Sequence, residues 1–452
     1  MKLMTLVIII LFLFFFQLFS ENQVKENKIN QNYKQISEKI FKEAILDTIY
    51  WDRLSYICDV FGPRLSGSKN LENAIEWIYK EMQKDGFENV CKDSVMVPHW
   101  ERGTEYCKLL YPFERKMNFI ALGGSIATPK DVITAEVIVV NNFEEVEKNK
   151  AKIKGKILVY DYEYQNYGQA VQYRFSGAIN AARAGAVASL VRSVTPQGLQ
   201  KVHAGMMVYD DTVPKIPHCA ISPEDAALLH RLQNRGITPK ITIYSEATTY
   251  PDALSYNVMG EIKGSENPDE IIVFGGHTDC WDLGTGAHDD AGGCLSAWAA
   301  LHYIKKLGLK PKRTLRCVHW VNEENGNRGG RAYAVKHKDE NHIFALEFDS
   351  GVFSPSRIGV NAHDSVFDKC KLLEKYLQNI DSVKIEKGGG GVDIGPLMRT
   401  GVSGAGLNTN DDEKYFWYHH SDADTFEHIK KQDFLKCAAT IAIFVYLLSE
   451  SY

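Results

Sequence analysis

Three segments in the second half of the sequence are mainly apolar or β-branched, and each runs into histidine or acidic residues. The segments and the polar residues after them are 271–274 with His277 and Asp279, 314–321 with Glu323 and Glu324, and 343–348 with Asp349. Short apolar runs of this length are typical of strands buried on both faces, as in parallel sheets. The carboxyl ends of parallel strands share one edge, where open α/β sheets bind ligands. The sequence therefore predicts an α/β fold whose mostly parallel central sheet is flanked by helices and gathers these polar residues at one edge.

The residue types at this edge are suited to binding a borderline cation such as zinc. His277 follows the first strand, and Asp289 comes twelve residues later, just before a helical pattern over residues 291–307. Imidazole and carboxylate groups are common zinc ligands. Such a site polarises a carbonyl group and activates water, and it also needs a base that does not bind metal. Because adjacent side chains of an extended segment point in opposite directions, Glu323 and Glu324 can divide these two tasks.

Taken one at a time, these residues have ordinary explanations. An isolated pair of glutamates usually marks a solvated strand end, and His319, in the middle of a predicted strand, is interpreted as a packed core histidine. Glu347 is interpreted as a partner in cross-strand pairing. The combination of all three segments outweighs these explanations, because three successive apolar strands bring acidic or histidine residues to the same edge of the sheet.

Size and composition exclude some classes of function. The chain has 452 residues, which is enough for two domains, with 44% apolar and 24% charged residues. Its net charge is −5 without a long basic run, so we expect no nucleic-acid partner. The nine cysteines form no Cys-x-x-Cys pair, which argues against a cysteine-based zinc site.

The first twenty residues have the features of a secretory signal peptide. Lys2 precedes an unbroken apolar run over residues 6–16, and the segment closes at Ser20. The run is short for a membrane span, and no basic stop-transfer segment follows it. We therefore expect cleavage near Ser20, a secreted or lysosomal protein, and no stable membrane span after cleavage. Residues 21–45, which begin with a polar stretch, are predicted to include a pro-segment or a disordered region.

The remainder of the chain divides into three parts. Residues 122–250 predict a small mixed unit, with strands over 132–140 and 154–161 and a helix that stops at Gly185. This part carries none of the clustered acidic and histidine residues. We interpret it as an accessory domain inserted between residues 46–121 and 251–452, which form the catalytic domain. Within these parts the pattern predicts a helix from Tyr173 to Ala184, a long loop over residues 408–424 and a C-terminal helix from Thr425 to about Leu448.

Five motifs, in this order, resemble those of the dizinc exopeptidases that include bacterial aminopeptidases and glutamate carboxypeptidase. They are His-Thr-Asp at 277–279, Asp-Asp-Ala-Gly-Gly at 289–293, Asn-Glu-Glu-Asn-Gly at 322–326, Asp-Ser at 349–350 and His-Ser-Asp-Ala-Asp-Thr at 420–425. The resemblance covers most of the chain after the leader. It implies the dizinc exopeptidase fold, with a protease-associated domain at 122–250.

The resemblance also implies a ligand set for two zinc ions. That set is His277, Asp289, Glu324, Asp349 and His420, with Asp289 shared by both ions. The family pattern His-x-x-x-Asp-Thr selects His420 over His419, because only His420 stands four residues before Asp424.

Two further roles follow from the same resemblance. Glu323 would be the general base, and Asp279 would orient His277 from behind. Cys280 departs from the relatives, which have serine there, and we expect its thiol to point away from the metal.

The function expected from these roles is a zinc-dependent exopeptidase acting on dipeptides or short peptides with free termini. An aminopeptidase acting on longer peptides is the first alternative. A receptor-like protein that keeps the fold without the chemistry is the second, and the complete ligand set argues against it. Whether two copies of the chain form a homodimer is left open.

The leader predicts where the mature protein begins. We expect secreted material to start between Glu21 and about Ile45, because signal peptides are removed at the end of their apolar region. Mass spectrometry of the secreted protein gives the terminus directly. Recovery of an intact Met1 would mean that the leader is kept as an anchor and that the predicted localisation is wrong.

Overall fold

The computed structural model of this protein describes residues 27–129 and 132–452. The predicted signal peptide at 1–20 lies outside these residues. The strands are β1 (Glu88–Glu101), β2 (Glu105–Tyr111), β3 (Arg115–Met117), β4 (Phe119–Ala121), β5 (Ile133–Val140), β6 (Ile157–Tyr160), β7 (Ala188–Arg192), β8 (His218–Ile221), β9 (Lys240–Ser245), β10 (Thr248–Ile262), β11 (Asn267–His277), β12 (Arg313–Trp320), β13 (Asn341–Glu347), β14 (Ser354–Asn361), β15 (Lys384–Lys387) and β16 (Ser403–Asn410).

The helices lie between these strands and at the two ends of the described chain. They are α1 (27–45), α2 (Ile49–Tyr56), α3 (Lys69–Lys84), α4 (Phe143–Lys148), α5 (Lys150–Ile153), α6 (Tyr167–Arg183), α7 (Pro223–Asn234), α8 (Gly292–Lys306), α9 (Arg328–Lys336), α10 (Asp364–Leu373), α11 (Gln378–Asp381), α12 (Gly395–Met398), α13 (Tyr415–Tyr418) and α14 (Lys431–Ser451).

An eight-stranded mixed sheet forms the centre of the first unit. Its order is β1-β10-β12-β11-β13-β16-β14-β15. The four middle strands β12, β11, β13 and β16 are parallel neighbours. Antiparallel pairs flank them, β10 with β12 on one side and β14 with β16 on the other. The predicted α/β class is thus confirmed, and the parallel part is the region that positions the site.

Apolar helices cover this sheet because its middle strands are hydrophobic on both faces. α8 is buried along most of its length and packs against α14 and β11. By length and composition α14 alone among the described helices could cross a membrane, but 83% of its most apolar window is buried inside the protein. α1 adds Ile36, Ile40 and Ala44 to the same core. A cut near residue 45 would remove these apolar contacts, so we propose a mature start before Ile36.

A second eight-stranded sheet, with the order β3-β2-β9-β5-β6-β7-β8-β4, is built from residues 105–245 and has its own apolar core. Strands β5 to β8 are parallel neighbours, and antiparallel strands close both ends. Three strands that precede residue 122 belong to this sheet, whereas β10 joins the first one. We therefore propose that the inserted unit begins near Glu105.

Several helix boundaries differ from the sequence-based expectation. α6 begins at Tyr167, six residues before the predicted start at Tyr173, because the Asn166 side chain caps it by accepting a hydrogen bond from the Gln169 backbone at 2.9 Å. The C-terminal helix begins at Lys431 rather than at Thr425, since Ile429 and the capping residue Lys430 are extended. The predicted long loop before it contains the short helix α13.

Candidate metal centre and active site

The five predicted metal ligands lie at the carboxyl ends of the parallel strands or in loops beside them. His277 ends β11, Glu324 follows β12, and Asp349 follows β13. The register pairs His277 with Trp320 and Gly275 with Glu347, so the three strands end at nearly the same level. Asp289 comes from the turn before α8, and His420 from the loop after α13.

Asp289 lies between two groups of side chains. Its Oδ1 is 3.3 Å from Nε2 of His277, which is also 3.7 Å from Oδ1 of Asp349. Its Oδ2 is 3.3 Å from Nε2 of His420, which is 2.8 Å from Oε2 of Glu324. The two oxygens of one carboxylate therefore face two separate donor sets, which is the arrangement that a bridging ligand requires.

Four polar atoms at the centre of this cluster are buried and have no hydrogen-bond partner. They are Nε2 of His277, Oδ2 of Asp289, Oε1 of Glu324 and Oδ1 of Asp349. Buried polar atoms in proteins are normally paired, so a converging set without partners needs another kind of partner. The nitrogen and oxygen donors fit divalent zinc. The groups Asp289–His419–His420 and His277–Asp289–Asp349 each have ligand atoms within 4.8 Å of one another.

Three further carboxylates position the ligands through the backbone. Asp424 accepts hydrogen bonds from the backbone nitrogens of His288 at 2.7 Å and Asp289 at 3.1 Å. Asp290 accepts one from the backbone nitrogen of His277 at 3.1 Å. A Cβ atom on Gly276 would lie only 2.0 Å from Oδ2 of Asp290, so the glycine near the end of β11 makes room for this contact.

Asp279 is the third of these carboxylates, and it holds the segment that carries both glutamates. Its carboxylate accepts hydrogen bonds from the backbone nitrogens of Glu323 at 3.1 Å and Glu324 at 3.4 Å. Nδ1 of His277 donates to the backbone oxygen of Asp279 at 2.9 Å, while the nearer carboxylate oxygen is 3.8 Å away. The residue expected to orient His277 thus contacts it mainly through the main chain.

The pKa values of the side chains in this cluster are shifted because several carboxylates are buried close together. Burial alone would lower the pKa of His277, but Asp289 and Asp349 raise it well above its ordinary value. Burial raises the pKa of Glu324 to about 7 despite the attraction of His420. Burial also raises the pKa of Glu323 well above its usual range, and the nearby carboxylate of Asp349 adds to the effect. Bound cations would remove this repulsion.

Other residues near the site were interpreted differently or missed in the sequence. Glu347 does not act as a cross-strand partner, because its carboxylate accepts hydrogen bonds from three successive backbone nitrogens, of Val392, Asp393 and Ile394, each at 2.9 Å. Both carboxylate oxygens of Asp393 are buried without a partner. A signal for this loop was available in the four glycines at 388–391, but its contact with Glu347 bridges 45 residues of sequence.

The remaining predictions concern a cysteine and a core histidine, and the structure adds a buried arginine that was not predicted. Cys280 turns its sulfur towards the backbone nitrogen of Arg64 at 3.3 Å, and burial raises the pKa of this thiol to about 12. His319 is fully buried, with the Trp298 ring edge-on at 5.5 Å, as expected for a core residue. Arg64, which the sequence did not single out, donates hydrogen bonds to the carbonyl oxygens of Thr278 and Thr285 and so holds the loop before Asp289.

Comparison with known proteins agrees with this geometry. The model of Peptidase family M28 matches residues 257–445. Carboxypeptidase Q from Mus musculus is 42% identical over 426 residues, which cover 93% of this chain and 90% of the relative. Carboxypeptidase Q from Homo sapiens is 41% identical, covering 88% and 85%. The chain belongs to peptidase family M28. It is a zinc-dependent exopeptidase, and the receptor-like alternative is not favoured.

Solved structures support the same assignment. A peptidase M28 precursor from Shewanella amazonensis has a TM-score of 0.89 and 32% identity, covering 93% of this chain and 97% of that one. A zinc aminopeptidase from Bacillus subtilis has a TM-score of 0.67 at 20% identity, covering 88% and 94%, and so shares the fold. The predicted resemblance to carboxypeptidase Q, carried by segments 279–284, 310–316 and 414–421, is confirmed.

The crowded carboxylates predict how the metal-free protein responds to pH. Burial raises the pKa of Glu324, Glu347 and Asp424 to about 7 in each case. Protons held by these groups stabilise the folded chain below their unfolded values near 4, and this stabilisation is lost as the pH rises through about 7.

We therefore expect the melting temperature of chelator-treated protein to fall between about pH 5 and pH 7 by more than that of zinc-loaded protein, and to level off above about pH 7. Calorimetry of both forms across this range measures the difference. A melting temperature of the chelated form that rises or stays level over the range in which it should fall would contradict the expectation.

Proposed function

We propose that the protein hydrolyses dipeptides or other short peptides with free termini, using two zinc ions per chain. The observation that carries this proposal is the division of donors around Asp289, whose two oxygens face His277 on one side and His420 on the other. With Asp349 and Glu324 added, each side has three protein ligands. Catalytic zinc sites commonly have three protein ligands and keep one position for water or substrate.

Glu323 is proposed as the general base. Among the described residues its carboxylate forms no ion pair with His277 or His420, whereas Glu324 pairs with His420 at 2.8 Å. The backbone nitrogen of Glu323 is fixed by the carboxylate of Asp279 at 3.1 Å. When bound, the metal ions would polarise the scissile carbonyl group and make water easier to deprotonate. The Glu323 carboxylate takes a proton from the attacking water and returns it to the leaving nitrogen. Asp279 is a positioning residue that keeps Glu323 and Glu324 in register.

The inserted unit is proposed to be a protease-associated domain that completes the site. Nδ1 of His203 donates to the backbone oxygen of His419 at 2.7 Å, and the backbone nitrogen of Ala204 donates to the oxygen of His420 at 2.7 Å. Arg174, on α6, donates to the carbonyl oxygen of Ala204 at 3.2 Å. These contacts give the insert a specific task, since they hold the loop that carries a proposed zinc ligand.

The secretory pathway is the proposed location, as a secreted or lysosomal enzyme. The apolar leader at residues 6–16 supports it. The carboxypeptidase Q relatives support an exopeptidase activity for this chain, because they match it along most of their own length. The alternative of an aminopeptidase that acts on longer peptides is supported only by the fold, which this chain shares with the Bacillus subtilis zinc aminopeptidase.

A panel of peptides tests the substrate class. We expect free dipeptides to be cleaved and N-acetylated dipeptides to be poor substrates, because recognition of a short peptide depends on its charged termini. Product identification after digestion of free and blocked dipeptides, tripeptides and longer peptides measures this. Release of residues from long peptides while dipeptides stay intact would move the assignment to an aminopeptidase.

A pair of substitutions separates the base from the ligand. Glu323→Gln keeps the shape of the side chain but cannot accept a proton, so turnover should fall by roughly 10²- to 10⁴-fold while zinc content and melting temperature stay the same. Glu324→Gln removes an anionic ligand, so zinc content and melting temperature should fall together with turnover.

Zinc per chain, melting temperature and turnover are measured for both variants and for the wild type, which should hold two zinc ions. Loss of zinc in Glu323→Gln with retention in Glu324→Gln would exchange the two roles. Full activity in both variants would mean that the active site lies elsewhere.

A further inference from the structure

His419 lies beside the metal centre, although the motif assigns it no role. Its Nε2 is 3.6 Å from Oδ2 of Asp289, the same oxygen that His420 approaches at 3.3 Å. The two imidazole rings are stacked, with centroids 3.5 Å apart and an angle of 16° between their planes. A second imidazole nitrogen is therefore directed at the same side of the bridging carboxylate.

The ring of His419 is held in place by aromatic neighbours. Tyr167, Tyr415 and Phe416 contact it edge-on at centroid distances of 5.2, 5.2 and 5.3 Å. Its backbone oxygen accepts the hydrogen bond from His203, and only 7% of the residue is exposed. Such packing fixes the direction of the ring nitrogens before any substrate arrives.

The hydrogen bonds of the three histidines distinguish His419 from a metal ligand. A histidine that binds metal through one nitrogen usually donates its other N–H to an oxygen, which fixes the ring. His277 does so to the backbone oxygen of Asp279 at 2.9 Å. Nδ1 of His420 lies 3.3 Å from the backbone oxygen of Ala204 and 3.4 Å from the guanidinium of Arg174. Within residues 27–129 and 132–452, His419 has no such partner for its other nitrogen.

The position of Nε2 of His419 favours a contact with bound substrate. Asp289, Glu324 and His420 form one side of the centre, and zinc held by three protein ligands keeps one further position for substrate. Nε2 of His419 lies next to this side. The nearby carboxylate of Asp289 favours the tautomer with hydrogen on Nε2, and the protonated ring carries that hydrogen as well.

We propose that His419 donates a hydrogen bond from Nε2 to the carbonyl oxygen of the scissile peptide bond. This inference rests on the proposed function and adds a catalytic residue to it. As the water oxygen bonds to the carbonyl carbon, the π electrons move to the carbonyl oxygen, and the hydrogen bond strengthens there. No proton leaves His419, since the water proton goes to Glu323 and then to the leaving nitrogen. A fixed donor aimed at developing charge typically contributes about 10²- to 10³-fold to turnover.

Three variants test the proposal, His419→Ala, His419→Gln and, as a matched control, His363→Gln, which replaces an exposed histidine far from the cluster. We expect His419→Ala to lower kcat by about 10²- to 10³-fold on a dipeptide while KM changes little. His419→Gln should recover part of this loss, because its amide can donate a hydrogen bond. Zinc per chain and melting temperature should match the wild type in all three.

A second measurement does not depend on turnover. A phosphinic dipeptide analogue, whose phosphinate oxygens resemble the tetrahedral species, should bind His419→Ala more weakly by a factor similar to the loss in kcat. A product amino acid should bind equally well to this variant and to the wild type. Loss of a zinc ion in His419→Ala would make the residue a ligand, and an unchanged kcat or phosphinate affinity would also overturn the proposal. Failure of the wild type to cleave dipeptides would count against the proposed function instead.

Discussion

Negative charge buried at one edge of a sheet is the constraint on which the rest of this structure depends. Asp289 and Glu324 bring buried carboxylates together beside the half-buried Asp349, and the pKa of Glu324 rises to about 7 because of burial. Such a group of like charges is costly unless cations or protons occupy it. Four buried atoms without partners offer nitrogen and oxygen donors of the kind that zinc prefers, which supports the proposal that this site binds the metal.

The acidic residues of the site divide into two classes according to what their oxygens contact. Asp279, Asp290 and Asp424 direct their oxygens at backbone N–H groups, and these hydrogen bonds fix the loops. The proposed ligands instead keep at least one oxygen free of hydrogen bonds. The carboxylates that bind backbone N–H groups fix the main chain, so the proposed ligands can face the metal without rearranging. This lowers the free-energy cost of binding substrate and metal.

The sequence predicted the strands β11, β12 and β13 and the four other proposed ligands that the structure brings together around Asp289, but not the approach of His419 to the same carboxylate. It did so because buried parallel strands leave an apolar signal and because ligands at their ends are local in sequence. The contacts it could not predict join distant positions. Asp424 binds the backbone of Asp289 from 135 residues away, and Glu347 holds residues 392–394. The start of the inserted unit could not be predicted either, since the sequences of β2 to β4 carry no pattern that separates them from the preceding strand β1.

The hydrogen bonds from His203 and Ala204 to the backbone of the two adjacent histidines tie the second sheet to the centre of the first unit. The loop that carries His419 and His420 is therefore anchored by the second unit as well as by the first. A version of the protein trimmed to the first sheet would leave the loop around His420 without its anchors, even though every proposed ligand would still be encoded. Any molecule that binds the inserted unit and shifts it would, through the same few bonds, alter how tightly the protein holds its metal.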